Sequence, residues 1–193
     1  SWRSKAPLVH RATSQWFISM EKKDLRKKAL KAIDDTDFYP EKGRDRIRSM
    51  IETRPDWCIS RQRIWGVPLP LFVSKKTKEP LKDPGVIENI AKIFEKEGAD
   101  CWFTDDPQKF LGKKYKKEDY IKCNDIVEVW FDSGATHAYV LEKRKDLIWP
   151  ASMYLEGSDQ HRGWFHSSLL ESCGTRGKAP FKSILTHGFV VDG

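Results

Sequence analysis

Cysteine is scarce in this chain, and the few residues present form no motif. Cys58, Cys101, Cys123 and Cys173 stand far apart, without a Cys-x-x-Cys pair. This spacing argues against a zinc site or a disulfide framework. It favours packed thiols in a reducing compartment, so we expect a cytoplasmic protein without a metal site.

Long hydrophobic runs are also missing. No segment approaches the ~20 apolar residues that a helix needs to span a bilayer, and no signal segment opens the chain. The sequence therefore predicts no membrane partner. Internal repeats and low-complexity tracts are absent too. With eight tryptophans and ten phenylalanines among 193 residues, the chain can build a sizeable core.

Positive charge, in contrast, is in excess. The chain has 35 basic and 28 acidic residues, a net charge of +7. This excess favours a nucleic acid or nucleotide partner, although a solvated basic surface would give the same number. A predicted helix over residues 22–34 has a lysine-rich face that is typical of a solvated surface. A second predicted helix, from about Pro40 to Thr53, is rich in arginine, whose planar fork suits phosphate.

The most informative stretch runs from Tyr154 to Phe165 and reads Tyr-Leu-Glu-Gly-Ser-Asp-Gln-His-Arg-Gly-Trp-Phe. A strand over residues 152–155 is predicted to turn into a helix, with Ser158 or Asp159 as the cap. Glycine lets the backbone approach a ligand closely, and the first helical turn favours an anion. The turn has more polar side chains than a structural turn needs, which predicts a binding site.

Two further strand ends are predicted nearby. Residues 125–134 are expected to form a strand that ends at Asp132-Ser-Gly134, with Trp130 and Phe131 on opposite faces. Residues 184–191 form the last predicted strand, which His187-Gly188 interrupts. Alternation of strands and helices predicts an α/β fold with a parallel sheet, whose three strand ends could share one ligand edge.

Residues 54–73 combine tryptophan, arginine and proline. Ser60-Arg-Gln-Arg63 lies between Trp57 and Trp65, an arrangement that suits a base or ribose contact, or the lip of a pocket. A rigid packing corner would have the same composition. We take Arg54, Arg61 and Arg63 as candidates for contact with a nucleic acid.

Residues 74–125 differ in character, with more lysine and fewer apolar residues. Asp83 and Pro84 predict the start of a helix that ends at Gly98, and a shorter helix is predicted from Pro107 to Gly112. We interpret this stretch, the inserted segment, as a small α+β insertion between core elements.

Four blocks together resemble the isoleucyl-tRNA synthetases, a family of class I enzymes. They lie at residues 54–68, 129–134, 154–165 and 185–193. Valyl and leucyl relatives share the framework of the first block but lack Glu-Gly-Ser-Asp-Gln-His-Arg-Gly-Trp-Phe. The resemblance implies the second half of a Rossmann-like catalytic domain, formed by residues 54–73 and 126–193. Residues 1–53 would link it to an editing insertion, and residues 74–125 would be a small connective insertion.

The resemblance also implies parts outside this sequence. These are the upstream half with a His-Ile-Gly-His-type signature, the editing and anticodon-binding domains, and a Lys-Met-Ser-Lys-Ser loop after Gly193. We therefore expect a piece of a longer polypeptide that is inactive alone. Some relatives have cysteines where this chain has Ser1 and Ser4, so we expect no zinc there.

The chemistry that the resemblance implies is activation of isoleucine by Mg–ATP and transfer to tRNA(Ile), without a protein nucleophile. Matching of the blocks assigns contacts with the aminoacyl-adenylate to Glu156, Gly157, Asp159, Gln160 and His161. His161 could instead orient its neighbours. We interpret His10, His137 and His166 as ordinary surface or packed residues.

The same matching places the isoleucine side chain between Trp130 and Trp164, and the adenine near His187, Gly188 and Phe189. Two rival hypotheses stay open. The chain could belong to a non-catalytic module that binds a nucleotide or tRNA, or to a valyl or leucyl enzyme, which the central motif disfavours.

Overall fold

A computed structural model describes Ser1 and residues 4–192. Three residues lie outside the described ones: Trp2, Arg3 and Gly193. Trp2 and Arg3 stand between Ser1 and Ser4, where no zinc is expected, and Gly193 ends the fourth block. The helices are α1 (Leu25–Asp34), α2 (Lys42–Glu52), α3 (Pro84–Glu97), α4 (Cys101–Thr104), α5 (Pro107–Leu111), α6 (Val129–Gly134) and α7 (Trp164–Arg176). The strands are β1 (Phe17–Ile18), β2 (Asp37–Tyr39), β3 (Trp57–Cys58), β4 (Ser60–Arg61), β5 (Phe72–Ser74), β6 (Tyr120–Lys122), β7 (Ile126–Val127), β8 (Tyr154–Gly157) and β9 (Ser183–His187).

A parallel sheet in the order β2-β9-β8 organises the fold and confirms the predicted α/β class. Its register pairs Phe38 with Ile184 and Tyr154 with Ile184, so that β9 lies in the middle. Helix α7 connects β8 to β9. The third strand was predicted at residues 125–134 and is instead β2, a strand too short for the sequence pattern to show.

The predicted strand over residues 125–134 is wrong for most of its length. Only β7 is extended, and it pairs with β4 in antiparallel fashion rather than joining the parallel sheet. Helix α6 follows because the Glu128 carboxylate accepts a hydrogen bond from the Trp130 N–H (3.1 Å), which caps the first turn. Phe131 packs beside Trp57, with ring centroids 5.9 Å apart, while Trp130 stays 42% exposed.

Three other predicted elements have different bounds. The strand predicted over residues 152–155 is β8, which covers Tyr154–Gly157, and the last strand ends at His187 instead of reaching residue 191. Helix α2 begins at Lys42, two residues after Pro40. After α6 the chain continues in a π-helical turn, His137–Leu141.

Two apolar clusters form the interior. The main one packs α1, α2 and α7 on the sheet, with Ile33, Ile47, Leu169 and Ile184 fully buried. The second lies largely in the inserted segment around Trp102 and Phe110. The three-part division of the chain stays a prediction, although residues before 54 supply β2, α1 and α2 to the main cluster.

The helices of the inserted segment follow the sequence signals. Asp83 caps α3 by accepting a hydrogen bond from Gly85 N–H (2.8 Å), and Pro84 is its first residue. Gly98, with φ of 83°, ends it in a conformation that favours glycine. Helix α5 likewise begins at Pro107 and stops before Gly112. Over the part of the chain that the structure describes, no helix is both long and apolar enough to cross a membrane.

Candidate functional site

Two neighbouring strands of the parallel sheet, β8 and β9, end side by side. Gly157, the last residue of β8, is paired with His187, the last residue of β9. A Cβ atom at residue 157 would lie only 2.5 Å from Asp159 Oδ1, so a larger side chain would displace that carboxylate. The Glu156 carboxylate bends back and accepts a hydrogen bond from the Gly157 N–H (2.9 Å). The strand end therefore holds two carboxylates beside an open backbone.

The polar turn after β8 is a 3-10 helix, Ser158–Arg162, and α7 starts only after it. The predicted cap was wrong, because neither Ser158 nor Asp159 reaches the start of α7. Gln160 takes that role: its Oε1 accepts a hydrogen bond from the Trp164 N–H (2.9 Å), while its Nε2 donates to Asp159 Oδ2 (3.0 Å). Both ends of the amide are thus held, which fixes its orientation at the strand end.

His161 is buried beneath this turn. Its Nδ1 lies 2.6 Å from the carbonyl oxygen of Ser158 and must carry the proton, since a carbonyl only accepts. Burial, with a further contribution from Arg46, lowers the pKa of the imidazole, so the ring is neutral at pH 7. Its Nε2 points towards Gly43 of α2, where a Cβ atom would come within 2.9 Å. The side chain supports the turn from inside.

The two predicted pocket tryptophans lie near each other at this edge. Trp164 stacks on Tyr154 with ring centroids 4.0 Å apart, and its indole N–H donates to the Ser133 carbonyl (3.1 Å). The Trp130 ring lies 3.1 Å from the position that a Cβ atom of Gly163 would take. The structure therefore brings the pair together, although the element that carries Trp130 was mispredicted.

His187, Gly188 and Phe189 lie on the open side of the same edge. All three are exposed, and Phe189 is 78% accessible. His187 Nδ1 lies 2.6 Å from the Gly188 carbonyl oxygen. No described element covers these residues, which leaves space for a ligand above the strand ends.

The three candidate arginines are divided between two environments. Arg61 and Arg63 line a groove of about 740 Å³ between the Trp65 loop, α6 and the inserted segment. Arg61 donates to the carbonyl oxygens of Cys58 (3.1 Å) and Ser60 (2.8 Å), so its guanidinium is fixed. Arg54 instead turns inwards over the Trp57 ring, 5.5 Å from its centroid, and burial lowers its pKa.

Two buried carboxyl groups near this site were missed in the sequence. Glu128 accepts hydrogen bonds from the Trp57 indole N–H (2.8 Å) and the Trp130 backbone, and so joins the first block to α6. Glu171 lies on the buried face of α7. It is the one acidic residue of α7 and directly follows two leucines, which was the available signal, since a glutamate rarely occupies a core position without a reason.

Within Ser1 and residues 4–192, one group of side chains could geometrically hold a metal ion: Glu97, Cys101 and Asp105. Lys109 already lies between the two carboxylates, 2.5 Å from Glu97 Oε2 and 2.7 Å from Asp105 Oδ2. The cluster is therefore a surface ion pair, and the four cysteine thiols are free.

Comparisons with known proteins agree on one family. The model of the class I tRNA synthetases (I, L, M and V) matches residues 5–193. The chain is 80% identical over 193 residues to an isoleucine–tRNA ligase of Pelagibacter ubique (strain HTCC1062), covering all of this chain and 21% of that protein.

Two further isoleucine–tRNA ligases match the whole chain. That of Zymomonas mobilis is 56% identical over 202 residues, with 22% of its length covered. That of Caulobacter vibrioides is 57% identical over 199 residues, with 20% covered. The chain thus spans about a fifth of the length of the curated relatives it matches.

Proposed function

The chain belongs to the class I tRNA synthetases of the I, L, M and V group, and from this premise we propose that it is part of an isoleucine–tRNA ligase. The full-length protein would activate isoleucine with ATP and pass it to tRNA(Ile). The observation that carries this proposal is the convergence of Glu156, Asp159, Gln160 and the Trp130–Trp164 pair at one strand end. The names of its relatives support the choice of amino acid.

The proposed reaction needs positioning more than covalent catalysis. An isoleucine carboxylate oxygen attacks the α-phosphorus of ATP, which enters as its Mg²⁺ complex, and pyrophosphate leaves. The terminal ribose 2′-OH of tRNA then attacks the activated carbonyl, and AMP leaves. No protein nucleophile takes part, so the rate depends on holding the groups in place and stabilising their charge. We assign no residue of this chain to the Mg²⁺ ion.

In this proposal the polar turn holds the adenylate. The Glu156 and Asp159 carboxylates are acceptors suited to the ammonium and ribose hydroxyl groups, and Gly157 lets the ribose approach. Gln160, with its amide fixed at both ends, lies near the carbonyl or phosphate. His161 is buried and neutral, which favours the orienting role over direct contact. The open residues His187, Gly188 and Phe189 would face the adenine.

The tryptophans would enclose the isoleucine side chain. Trp164 is fixed by its stacking and its hydrogen bond, whereas Trp130 depends on the placement of α6. When the ligand lacks one methylene, an apolar pocket loses only about 1–3 kcal/mol of binding free energy. The standard example of this general magnitude is isoleucine against valine in this same enzyme family. Discrimination beyond it would require the editing domain.

The rest of the enzyme would complete the site. No described strand pairs with the outer edge of β8, where Leu155 is 55% exposed, so this edge suits a strand of the upstream half. Arg61 and Arg63 in the groove are the better candidates for tRNA contact, and Arg54 is the weakest because it faces inwards. We further propose a cytoplasmic protein, without zinc at Ser1 and Ser4.

Amino-acid-dependent ATP–pyrophosphate exchange by the full-length protein tests the proposal. We expect exchange with isoleucine, weaker exchange with valine and little with leucine. A preference for valine or leucine would contradict the isoleucyl assignment. Binding of tRNA without exchange for any amino acid would instead favour the non-catalytic module. The 193-residue chain alone should give no exchange.

A further inference from the structure

One face of α7 supports the helix that carries Trp130. Trp164, Ser167 and Glu171 follow each other at spacings of three and four residues and therefore share a face. Trp164 binds the carbonyl of Ser133, the penultimate residue of α6. A Cβ atom at Gly134 would lie 2.9 Å from Ser167 Oγ and 2.1 Å from Glu171 Oε1. The C-terminal end of α6 thus rests directly on this stripe.

Glu171 is an unusual residue for such a support. Its side chain is buried, with 9% relative exposure, and its Oε1 has no hydrogen-bond partner among the described residues. The groups that act on it are acidic: burial, then Asp132 and Glu128, raise the pKa of its carboxyl to about 9. At neutral pH it is therefore a neutral carboxylic acid packed against the α6 backbone.

We propose that Glu171 is a positioning residue, whose buried side chain supports α6 against α7 and thereby sets the Trp130 wall of the amino-acid pocket. The inference rests on the proposed function. Trp130 lies one helical turn before Gly134, so a shift at the supported end of α6 moves the indole. Glu171 does not touch the substrate in this account and acts only through α6.

Ionisation of Glu171 should release this support. Asp132, whose own pKa is raised by burial and by Glu128, faces it from α6, and the Tyr154 hydroxyl faces it from β8. Other charged and titratable groups lie around α7. They are Lys28 of α1, Arg54, His137, Tyr139, His161 and Arg162 of the 3-10 turn, and the Glu142–Arg176 ion pair. A carboxylate at residue 171 would repel Asp132 and Glu128 and loosen α6.

The test compares full-length wild-type protein with Glu171→Gln over pH 7 to 10.5, using KM for isoleucine and for ATP in the exchange reaction. Gln keeps the size of the side chain and cannot ionise. We expect equal KM values at pH 7. Above about pH 9 the wild-type KM for isoleucine should rise towards tenfold per pH unit relative to Glu171→Gln, with KM for ATP changing equally in both. The substrate's amino group titrates identically in both proteins, so the ratio isolates Glu171.

Glu142→Gln is the matched control, because it removes a carboxylate near α7 that is paired with Arg176 and does not touch α6. It should retain the wild-type profile. A raised KM for isoleucine in Glu171→Gln at pH 7 would overturn the proposal, since a charged contact would then be required. An identical alkaline rise in both proteins would overturn it too.

If wild-type protein shows no exchange, the proposed function fails. The inference then fails with it, whereas a Glu171 pKa near 4.5, measured by carboxyl NMR in the full-length protein with exchange intact, overturns the inference alone.

Discussion

Charged side chains in the inserted segment have hydrogen-bond partners, whereas several buried polar groups around α6 and α7 have none in the described structure. In the inserted segment, the Asp83 carboxylate accepts hydrogen bonds from Lys114 (2.6 Å) and the Tyr115 hydroxyl (2.8 Å). These contacts lower the pKa of Asp83 to about 2. Lys109 is bound by two carboxylates, which raise its pKa. Partners hold these groups in their charged forms.

Around α6 and α7 several buried side-chain atoms lack hydrogen-bond partners over the described ranges. Both ring nitrogens of His166 and Glu171 Oε1 have none within the described part of the chain. Burial lowers the pKa of His166 to about 3, and burial with nearby acidic groups raises that of Glu171 to about 9. These groups are held in their neutral forms at a free-energy cost, which is typical of functional sites. This difference supports our proposal that the strand-end region serves binding, and it is consistent with a stabilising role for the inserted segment.

Loss of Glu156 should have the largest effect on exchange. Without such an effect, the contrast between the two regions would not hold. In the full-length protein, Glu156→Ala removes a carboxylate at the strand end and should reduce isoleucine-dependent exchange by at least about 100-fold. Glu118→Ala, which removes an exposed carboxylate of the inserted segment, should leave exchange unchanged. Near-normal exchange in Glu156→Ala would reject the assignment of this edge.

Gly134→Ala should have the next largest effect. The added Cβ atom would meet Glu171 Oε1 at 2.1 Å, and such overpacking costs about 1–3 kcal/mol. We expect a lower unfolding midpoint and a higher KM for isoleucine. Gly174→Ala in α7 meets only Leu25 at 3.6 Å and serves as the control. Addition of Glu171→Ala to Gly134→Ala should restore part of the loss, and strict additivity would argue against the contact.

The pH dependence of stability should separate the two regions more finely. The folded pKa of Glu171, about 9, exceeds its ordinary 4.5, so the native state binds more protons between these values and its stability falls as pH rises. His166, with a folded pKa of about 3 against 6.5, makes stability rise over that lower range. Thermal unfolding between pH 6.5 and 9 should show a fall of up to about 1.4 kcal/mol per pH unit, which Glu171→Gln abolishes. An unchanged slope in that variant would contradict the assignment.

The smallest effect is expected for Asp83→Asn. It weakens the contact with Lys114 in the inserted segment and should lower the unfolding midpoint slightly, without changing exchange. Because the pKa of Asp83 is lowered, its contribution is present above about pH 3.8 and is lost as pH falls towards 2. A large loss of exchange would show that the inserted segment also serves the reaction.

The sequence predicted those features that depend on local chemistry. Asp83, Pro84 and Gly98 set the bounds of α3, and the Gly157 turn lies where the polar motif indicated. The prediction failed where distant contacts decide the local structure. Residues 129–134 have strand-like composition, yet Glu128 caps a helix there and α7 supports it. Strand β2 forms because β9 pairs with it, and nothing in its three residues indicates that. The family resemblance was confirmed, whereas the roles of individual site residues stay predictions.

Binding of a non-hydrolysable isoleucyl-adenylate analogue to the full-length protein, measured by calorimetry, tests the central claim most directly. Trp130→Ala is compared with Tyr139→Ala, an exposed aromatic residue on the turn after α6. We predict that the isoleucyl analogue binds more tightly than the leucyl one, that Trp130→Ala weakens it at least about tenfold, and that Tyr139→Ala does not. Equal affinity of wild-type protein and Trp130→Ala would contradict the account, because the amino-acid pocket would then lie elsewhere.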